Sequence, residues 1–269
     1  MTDLPTPYQA GIHLSRYARF IEGQNRRETW PETVTRYVNY FAERHPELDD
    51  GLFEELYDAI VNLDVMPSMR AMMTAGKALD RDNVAGYNCS YLAVDEPEAF
   101  WEALYVLMCG TGVGFSVESK YVDQLPIVPS TVKYVVSPVE YRVKDSKDGW
   151  RDALAYVICC LYDGIQPSLN YDDVRPAGAR LKTFGGRASG PEPLMSLVDF
   201  TINTFVSAAG RKLKPIECHD IMCKIGEVVV VGGVRRSALI SLSDIDDVEM
   251  REAKSGEWWK DNPQRALAN

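Results

Sequence analysis

The stretch NCSYLAVDEPEAFWEALYVLMCGTGVGFSV, Asn88 to Val117, decides the fold class. Tyr87–Val94 (YNCSYLAV) has strand-like composition. Asp95 followed by Glu98 resembles a capping box and predicts a helix through Met108, closed by Cys109–Gly110. A glycine-rich turn, Gly110 to Gly114, then leads into the apolar FSV. The order is strand, helix, strand.

Working outward, the same order recurs. Val132–Val136 and Val139–Val143 are rich in β-branched residues, and Asp145–Ser146 caps a predicted helix that carries Trp150 through Leu161. A helix over Leu194–Ala209 and a shorter one ending at Gly226 precede the apolar run Val228–Val231, read as a strand, and a further strand over Ser237–Leu242. Upstream, apolar residues recur at helical spacing through Leu14–Ile21, through Val34–Phe41 after Trp30–Pro31, and from Leu52 to Leu63, until Met66–Pro67–Ser68 breaks the pattern. Helices alternating with short apolar strands predict an α/β fold with a mostly parallel sheet. No internal repeat or low-complexity segment interrupts it.

Composition sets limits on function. The 269 residues are 46% apolar and 25% charged, enough for a substantial core, and the net charge of -10 argues against a broad nucleic-acid surface. A polyphosphate ligand therefore needs a local basic pocket. The N-terminal decapeptide has no signal-type apolar region and nowhere do ~18 apolar residues run together, which predicts a cytoplasmic protein without a membrane segment. Six irregularly spaced cysteines read as free thiols.

Each candidate motif has a bland reading. The Gly110–Gly114 pattern lacks the strand-before, helix-after order of a dinucleotide fingerprint, so a tight turn that lets a ligand approach the backbone is the better reading. Arg175 to Pro193 sets four cations among four glycines and three prolines, a composition suited to phosphate oxygens or to an ordinary solvated loop. Gly232–Ser237 (GGVRRS) repeats that chemistry. Cys218, His219 and Cys223 share a predicted helix and lack a second ligand pair, so a metal site is not expected. Cys109, Cys159 and Cys160 read as buried small apolar residues, and on residue chemistry alone Cys89 reads as a structural thiol.

A run of longer motifs adds a family. SRYARF (Ser15–Phe20), ETW (Glu28–Trp30), RYVNYF (Arg36–Phe41), MPSMRAMMTAG (Met66–Gly76), NCSYLAV (Asn88–Val94), GTGVGFSV (Gly110–Val117), DSKDGW (Asp145–Trp150), RPAGARLKTFGGRASGPEPL (Arg175–Leu194) and VVGGVRRSALI (Val230–Ile240) resemble, in order, the N-terminal part of the monomeric adenosylcobalamin-dependent, class II, ribonucleotide reductases. The resemblance implies an N-terminal half of a ten-stranded α/β barrel over residues 66–269, preceded by a helical lobe over residues 1–65. It implies a thiyl-radical reaction on a ribonucleoside triphosphate, started by adenosylcobalamin, with a cysteine pair oxidised to a disulfide and restored by thioredoxin or a similar reductant.

Matching motif by motif, Cys89 is the N-terminal member of that pair. Pro67, Ser68, Asn88, Gly110, Gly112, Val113 and Gly114 fall in the substrate-holding region. Asp145, Ser146 and Lys147, with Lys182 and Arg187 in one loop and Arg235 and Arg236 in another, match the region that binds a deoxynucleoside triphosphate effector. The second cysteine and the radical cysteine have no counterpart before Asn269. The resemblance therefore implies a chain that needs a complementing C-terminal fragment, takes no nucleic acid directly, and has most of its cofactor contacts elsewhere. The interval from Val117 to Asp145 is shorter than the insertion carried by the monomeric members, which leaves a trimmed effector site or one completed by a second chain. Two rival readings remain at this stage: a catalytically incomplete module that only binds deoxynucleotides, and a reductase of another radical-initiator class.

Overall fold

In a computed structural model the described residues are 4–130, 133–136, 140–179, 188–231 and 239–269. They form two compact units, Met1–Asn88 and Cys89–Asn269. The first unit contains α1 (Pro7–Ile12), a π turn (His13–Tyr17), the short antiparallel pair β1 (Phe20–Ile21) and β2 (Arg26–Arg27), α2 (Trp30–Ala42), α3 (Asp50–Val61), α4 (Met69–Thr74) and α5 (Lys77–Arg81). The second contains β3 (Cys89–Ala93), α6 (Glu98–Met108), β4 (Gly112–Ser116), α7 (Ser119–Val122), β5 (Lys133–Val136), β6 (Tyr141–Arg142), α8 (Lys147–Tyr162), β7 (Ile165–Gln166), β8 (Leu169–Asn170), α9 (Glu192–Ser207), α10 (Pro215–Val231), β9 (Leu239–Leu242), α11 (Val248–Arg251) and α12 (Trp258–Asp261).

The helical unit is organised around a buried ion pair. Thr29 caps α2 in a reciprocal capping box with Glu32, and Pro31 occupies the first turn, where its missing N–H costs nothing. Glu28, just before that cap, receives the Arg36 guanidinium at 2.8 Å, the Arg19 N–H at 3.0 Å and the Thr33 hydroxyl at 3.0 Å. Arg36 also donates to the carbonyls of Met72, Ala75 and Tyr17, so one guanidinium ties α2 to α4 and to the turn after α1. Burial pushes the Glu28 carboxyl upward, but the hydrogen bonds from Arg36, Arg19 and Thr33 outweigh it and leave it below its usual range. The same network explains why Leu14–Ile21 is not one helix. The chain turns extended at Ala18, and Arg19 gives its N–H to Glu28 rather than to a preceding carbonyl.

The second unit is a parallel sheet in the order β3, β4, β9, with helices packed against one face. Cys89 pairs with Gly112, Tyr91 with Gly114, and Gly114 with Ile240. Ala268 and Asn269 continue the pairing on the far side of β9, where Ser241 donates its N–H to the Asn269 carbonyl. Val113, Phe115 and Leu239 face a core built by Phe100, Leu104 and Leu107 of α6, Leu154 and Ile158 of α8, Leu197 of α9, and Ile221 and Ile225 of α10. The shorter parallel pairs β5–β7 and β6–β8 flank α8 in sequence.

Three expectations need correction here. Pro97, not Asp95, stands at the N-cap of α6, with no side-chain cap bond. The glycine run is not a turn throughout: only Gly110, at φ 84, turns the chain, and Gly112 and Gly114 lie inside β4. Val228–Val231 is the last turn of a 17-residue helix rather than a strand, because Val228 and Val229 are buried against the same core as the rest of α10 and packing outweighs β-branched propensity. Val132 and Val139 lie outside the described residues.

Removing the Arg36 guanidinium strands a buried carboxylate and three carbonyls. Arg36→Ala is expected to cost on the order of 3 kcal/mol in urea unfolding, with hydrogen exchange accelerated in α2 and α4. Because the folded-state pKa of Glu28 is depressed, its contribution is complete above the ordinary carboxylate pKa and is lost as pH falls through the lowered value. The Arg36→Ala variant should therefore show a weaker loss of stability than the parent on acidification. Equal slopes for the two proteins would refute this assignment.

Candidate functional site

The sheet has two unlike faces, and the two-residue period of a strand sorts the candidate residues between them. Val113, Phe115 and Leu239 point into the core, whereas Cys89 is exposed and Tyr91, Ile240 and Leu242 are 56%, 55% and 46% exposed on the other face. Gly112 and Gly114 share that face with Cys89, Gly112 being its direct register partner. A Cβ built on Gly114 would meet nothing closer than the Ser90 carbonyl oxygen at 3.6 Å. The chain itself has room there, so bare backbone leaves space for something approaching from outside. Ser90, on the opposite face, donates its hydroxyl to the Gly112 carbonyl at 3.0 Å and locks β3 to β4.

The other residues expected to hold substrate are placed as follows. Val113 is 1% exposed, so only its backbone can serve a ligand. Gly110 is half-buried in the turn before β4. In the helical unit, Pro67 is half-buried and Ser68 is exposed at the N-cap of α4, where its hydroxyl makes no capping bond. Asn88 is exposed at the end of that unit, next to Cys89.

Of the expected effector residues, Asp145, Ser146 and Lys147 lie at the N-terminus of α8. Ser146 caps the helix, accepting the Gly149 N–H at 3.0 Å. Gly149 is obligatory, since a Cβ there would lie 2.2 Å from the Lys144 carbonyl oxygen. Asp145 accepts a hydrogen bond from Arg175 Nε at 2.6 Å, which ties the helix start to the base of the following glycine-rich loop. That base is closed by Gly178 N–H to the Ala188 carbonyl at 2.8 Å and by Ala188 N–H to the Ala179 carbonyl at 2.7 Å. Lys147 donates to Cys109 Sγ at 3.0 Å. Lys182, Arg187, Arg235 and Arg236 lie outside the described residues. Gly149 and Arg175 stand inside the DSKDGW and RPAGARLKTFGGRASGPEPL motifs, outside the residues that the resemblance assigns to the effector. The signal for Gly149 was its place three residues after a capping serine.

The remaining thiols fall into two groups. Cys159 is exposed, a correction to its expected burial, because adjacent helical residues point to different sides and Cys160 takes the inner one. Cys159 borders a cavity of about 320 Å3 lined also by Glu96, Glu98, Trp101, Tyr162 and Asp163. Burial, then Asp163 and Glu98, push its thiol up, and three carboxylates make this cavity hostile to a nucleotide phosphate. Cys109, Cys160, Cys218 and Cys223 are buried. His219 Nε2 contacts Cys223 Sγ at 3.4 Å while Nδ1 meets Ser241 Oγ at 2.9 Å, a chain that fastens α10 to β9. Burial drives the His219 imidazole down to about 4 and the Cys223 thiol up to about 12, so both stay neutral near pH 7. Among the described residues no group of three His, Cys, Asp or Glu is arranged to hold a metal ion, and no helix is long and apolar enough to cross a membrane.

Alkylation by maleimide should follow this division. Cys89 and Cys159 are expected to react in the native protein, and Cys109, Cys160, Cys218 and Cys223 only after denaturation, read by peptide mass mapping. Native protection of Cys89 would contradict its placement on the exposed face.

Comparison with known proteins agrees with the motifs. The family model described as the insertion domain of B12-dependent ribonucleotide reductase matches residues 122–206, which take in most of the short Val117–Asp145 interval and the chain beyond it as far as α9. The adenosylcobalamin-dependent ribonucleoside-triphosphate reductase of Levilactobacillus brevis is 30% identical over 302 residues, covering 86% of this chain and 40% of that protein. The enzyme of the same name from Lactobacillus helveticus is 28% identical, covering 88% of this chain and 41% of its own length. The chain thus spans about two fifths of the curated relatives it matches. A crystal structure of a B12-dependent, class II, ribonucleotide reductase superposes with a TM-score of 0.82 at 25% identity, covering 97% of this chain and 45% of that one. With its parallel sheet, flanking helices and ordered motifs, the chain corresponds in sequence and fold to the N-terminal part of the class II, adenosylcobalamin-dependent, ribonucleotide reductases.

Proposed function

We propose that this chain forms one wall of a ribonucleotide reductase active site, and that Cys89 is one of the two thiols oxidised when a ribonucleoside triphosphate becomes a deoxyribonucleotide. The observation that carries the reading is the exposed Cys89 in direct register with Gly112, on the face where Gly114 leaves room above the backbone. A sulfur there can meet a ribose lying across the glycines, and it can afterwards be reached by a reductant such as thioredoxin. The exposed Tyr91, Ile240 and Leu242 line the same face and need a covering surface, which a complementing C-terminal segment would supply.

Adenosylcobalamin, when bound, would supply the radical that starts the reaction. The chain's own residues fit this cofactor only as an apolar border. Its three histidines are committed elsewhere: His13 to Thr33, His45 to Glu47, and His219 to Cys223 and Ser241 beneath the core face. From the open face, Tyr91, Ile240 and Leu242 offer van der Waals contact and no imidazole. A substrate would lie across the bare backbone of Gly112 and Gly114 on the open face of β4, beside the turn at Gly110.

Asp145, Ser146 and Lys147 at the start of the 16-residue α8 support a deoxynucleoside triphosphate effector there, since a helix N-terminus favours phosphate. The Arg175–Asp145 ion pair would pass its binding to the Lys182–Arg187 segment, and Arg235 and Arg236 would act in the second loop. In this reading the enzyme works in the cytoplasm on free nucleotides, without direct contact to nucleic acid.

Cys89→Ser in the assembled reductase, with its C-terminal portion present, is expected to abolish multiple turnover with thioredoxin while deoxynucleotide affinity stays at the parent value. Sustained turnover by the variant would remove Cys89 from the reaction. Loss of effector binding as well would mean that the substitution disturbs the fold rather than the chemistry.

A further inference from the structure

We propose that Cys109 and Lys147 are an oxidative crosslinking site, at which one oxygen atom comes to bridge the lysine Nζ and the cysteine Sγ. The two atoms lie 3.0 Å apart, close enough for a single bridging atom. Both residues are held by rigid surroundings. Cys109 closes α6, donates its N–H to the Tyr105 and Val106 carbonyls, and is 2% exposed. Lys147 opens α8, whose start is fixed by the Ser146 cap and by the tight approach of Gly149 to Lys144. The lysine ammonium also rests 5.1 Å from the centre of the Tyr105 ring. Since α6 and α8 pack into one core, the contact is not a chance meeting of two mobile surface chains.

Burial selects the chemistry. A sulfur 2% exposed is shielded from bulky thiols such as glutathione, which disfavours a mixed disulfide, whereas dioxygen is small and apolar enough to enter. The net step is ammonium plus thiol plus dioxygen giving the N–O–S bridge, water and a proton. The S–H bond and two N–H bonds of the ammonium break, the O–O bond is cleaved, and S–O and N–O bonds form. Sulfur and nitrogen each give up two electrons, and dioxygen accepts all four. One oxygen stays in the bridge and the other leaves as water. The bridge would remove the Lys147 charge and tie the end of α6, just before Gly110, to the helix start that carries Asp145 and Ser146. It does not depend on the nucleotide reading of either place.

The test compares the purified protein kept anaerobic in dithiothreitol with the same protein equilibrated in air, by intact mass and tryptic mapping. The expected result is a gain of one oxygen with loss of two hydrogens, no cleavage after Lys147, and joined peptides containing Cys109 and Lys147 that dithiothreitol separates. Lys147→Arg, which keeps the charge, and Cys109→Ser should each abolish the joined species. An unchanged mass after air exposure, or oxygen added to Cys109 with Lys147 still cleaved by trypsin, would overturn the proposal. Because the readout is a covalent bond, failure of the reductase reading would leave it untouched.

Discussion

The register between β3 and β4 is the constraint on which the site rests. Side chains along a strand alternate faces, and parallel partners share a face, so pairing Cys89 with Gly112 fixes the surroundings of both. Helix α6, which connects the two strands, covers the face occupied by Val113 and Phe115. The thiol and the glycines are thereby placed together on the opposite, accessible face. A one-residue slip of β3 would turn Cys89 and Tyr91 toward the core and Leu92 away from it. The cost of exposing core side chains holds the register, and the register holds the chemistry.

Electrostatics acts locally in this acidic chain. Several of its guanidinium groups serve structure: Arg36 holds Glu28, Arg265 holds Asp220 with two bonds of 2.6 and 2.7 Å, and Arg175 holds Asp145. The Arg265–Asp220 pair joins elements distant in sequence, Arg36 does so through the carbonyls of Met72 and Ala75, and loss of either arginine would leave a charge in a poorly solvated place. The α8 N-terminus differs, because there a carboxylate, a capping hydroxyl and a lysine meet beside the base of a glycine-rich loop.

Much of this could be read from the residues, for reasons that also explain the failures. Thr29 and Pro31 mark the start of α2, and Ser146 marks that of α8, because caps act over a few neighbouring residues. The alternation of strand and helix from Asn88 to Val117 was readable, since the apolar pattern needs no distant partner. The four valines ending α10 read locally as a strand, because the burial of Val228 and Val229 comes from packing of α10 on elements such as α6, far away in sequence. The glycines of β4 read locally as a turn because nothing nearby in sequence shows that Cys89–Ala93 and Leu239–Leu242 will pair with them on both sides. Leu14–Ile21 failed through the carboxylate of Glu28, which takes over a backbone N–H that a helix would have used. At the site, Cys89 and its glycines are legible through motif resemblance and Gly149 through its spacing from the capping serine, while the Arg175–Asp145 link needs the packed fold.

The most direct measurement is the rate of Cys89 alkylation in the chain joined to its proposed C-terminal portion, with and without a ribonucleoside triphosphate, using Cys159 in its anionic cavity as the internal reference. If the glycine-lined face receives the nucleotide, substrate slows modification of Cys89 and leaves Cys159 unchanged. Equal rates at Cys89 with and without saturating nucleotide would contradict the account.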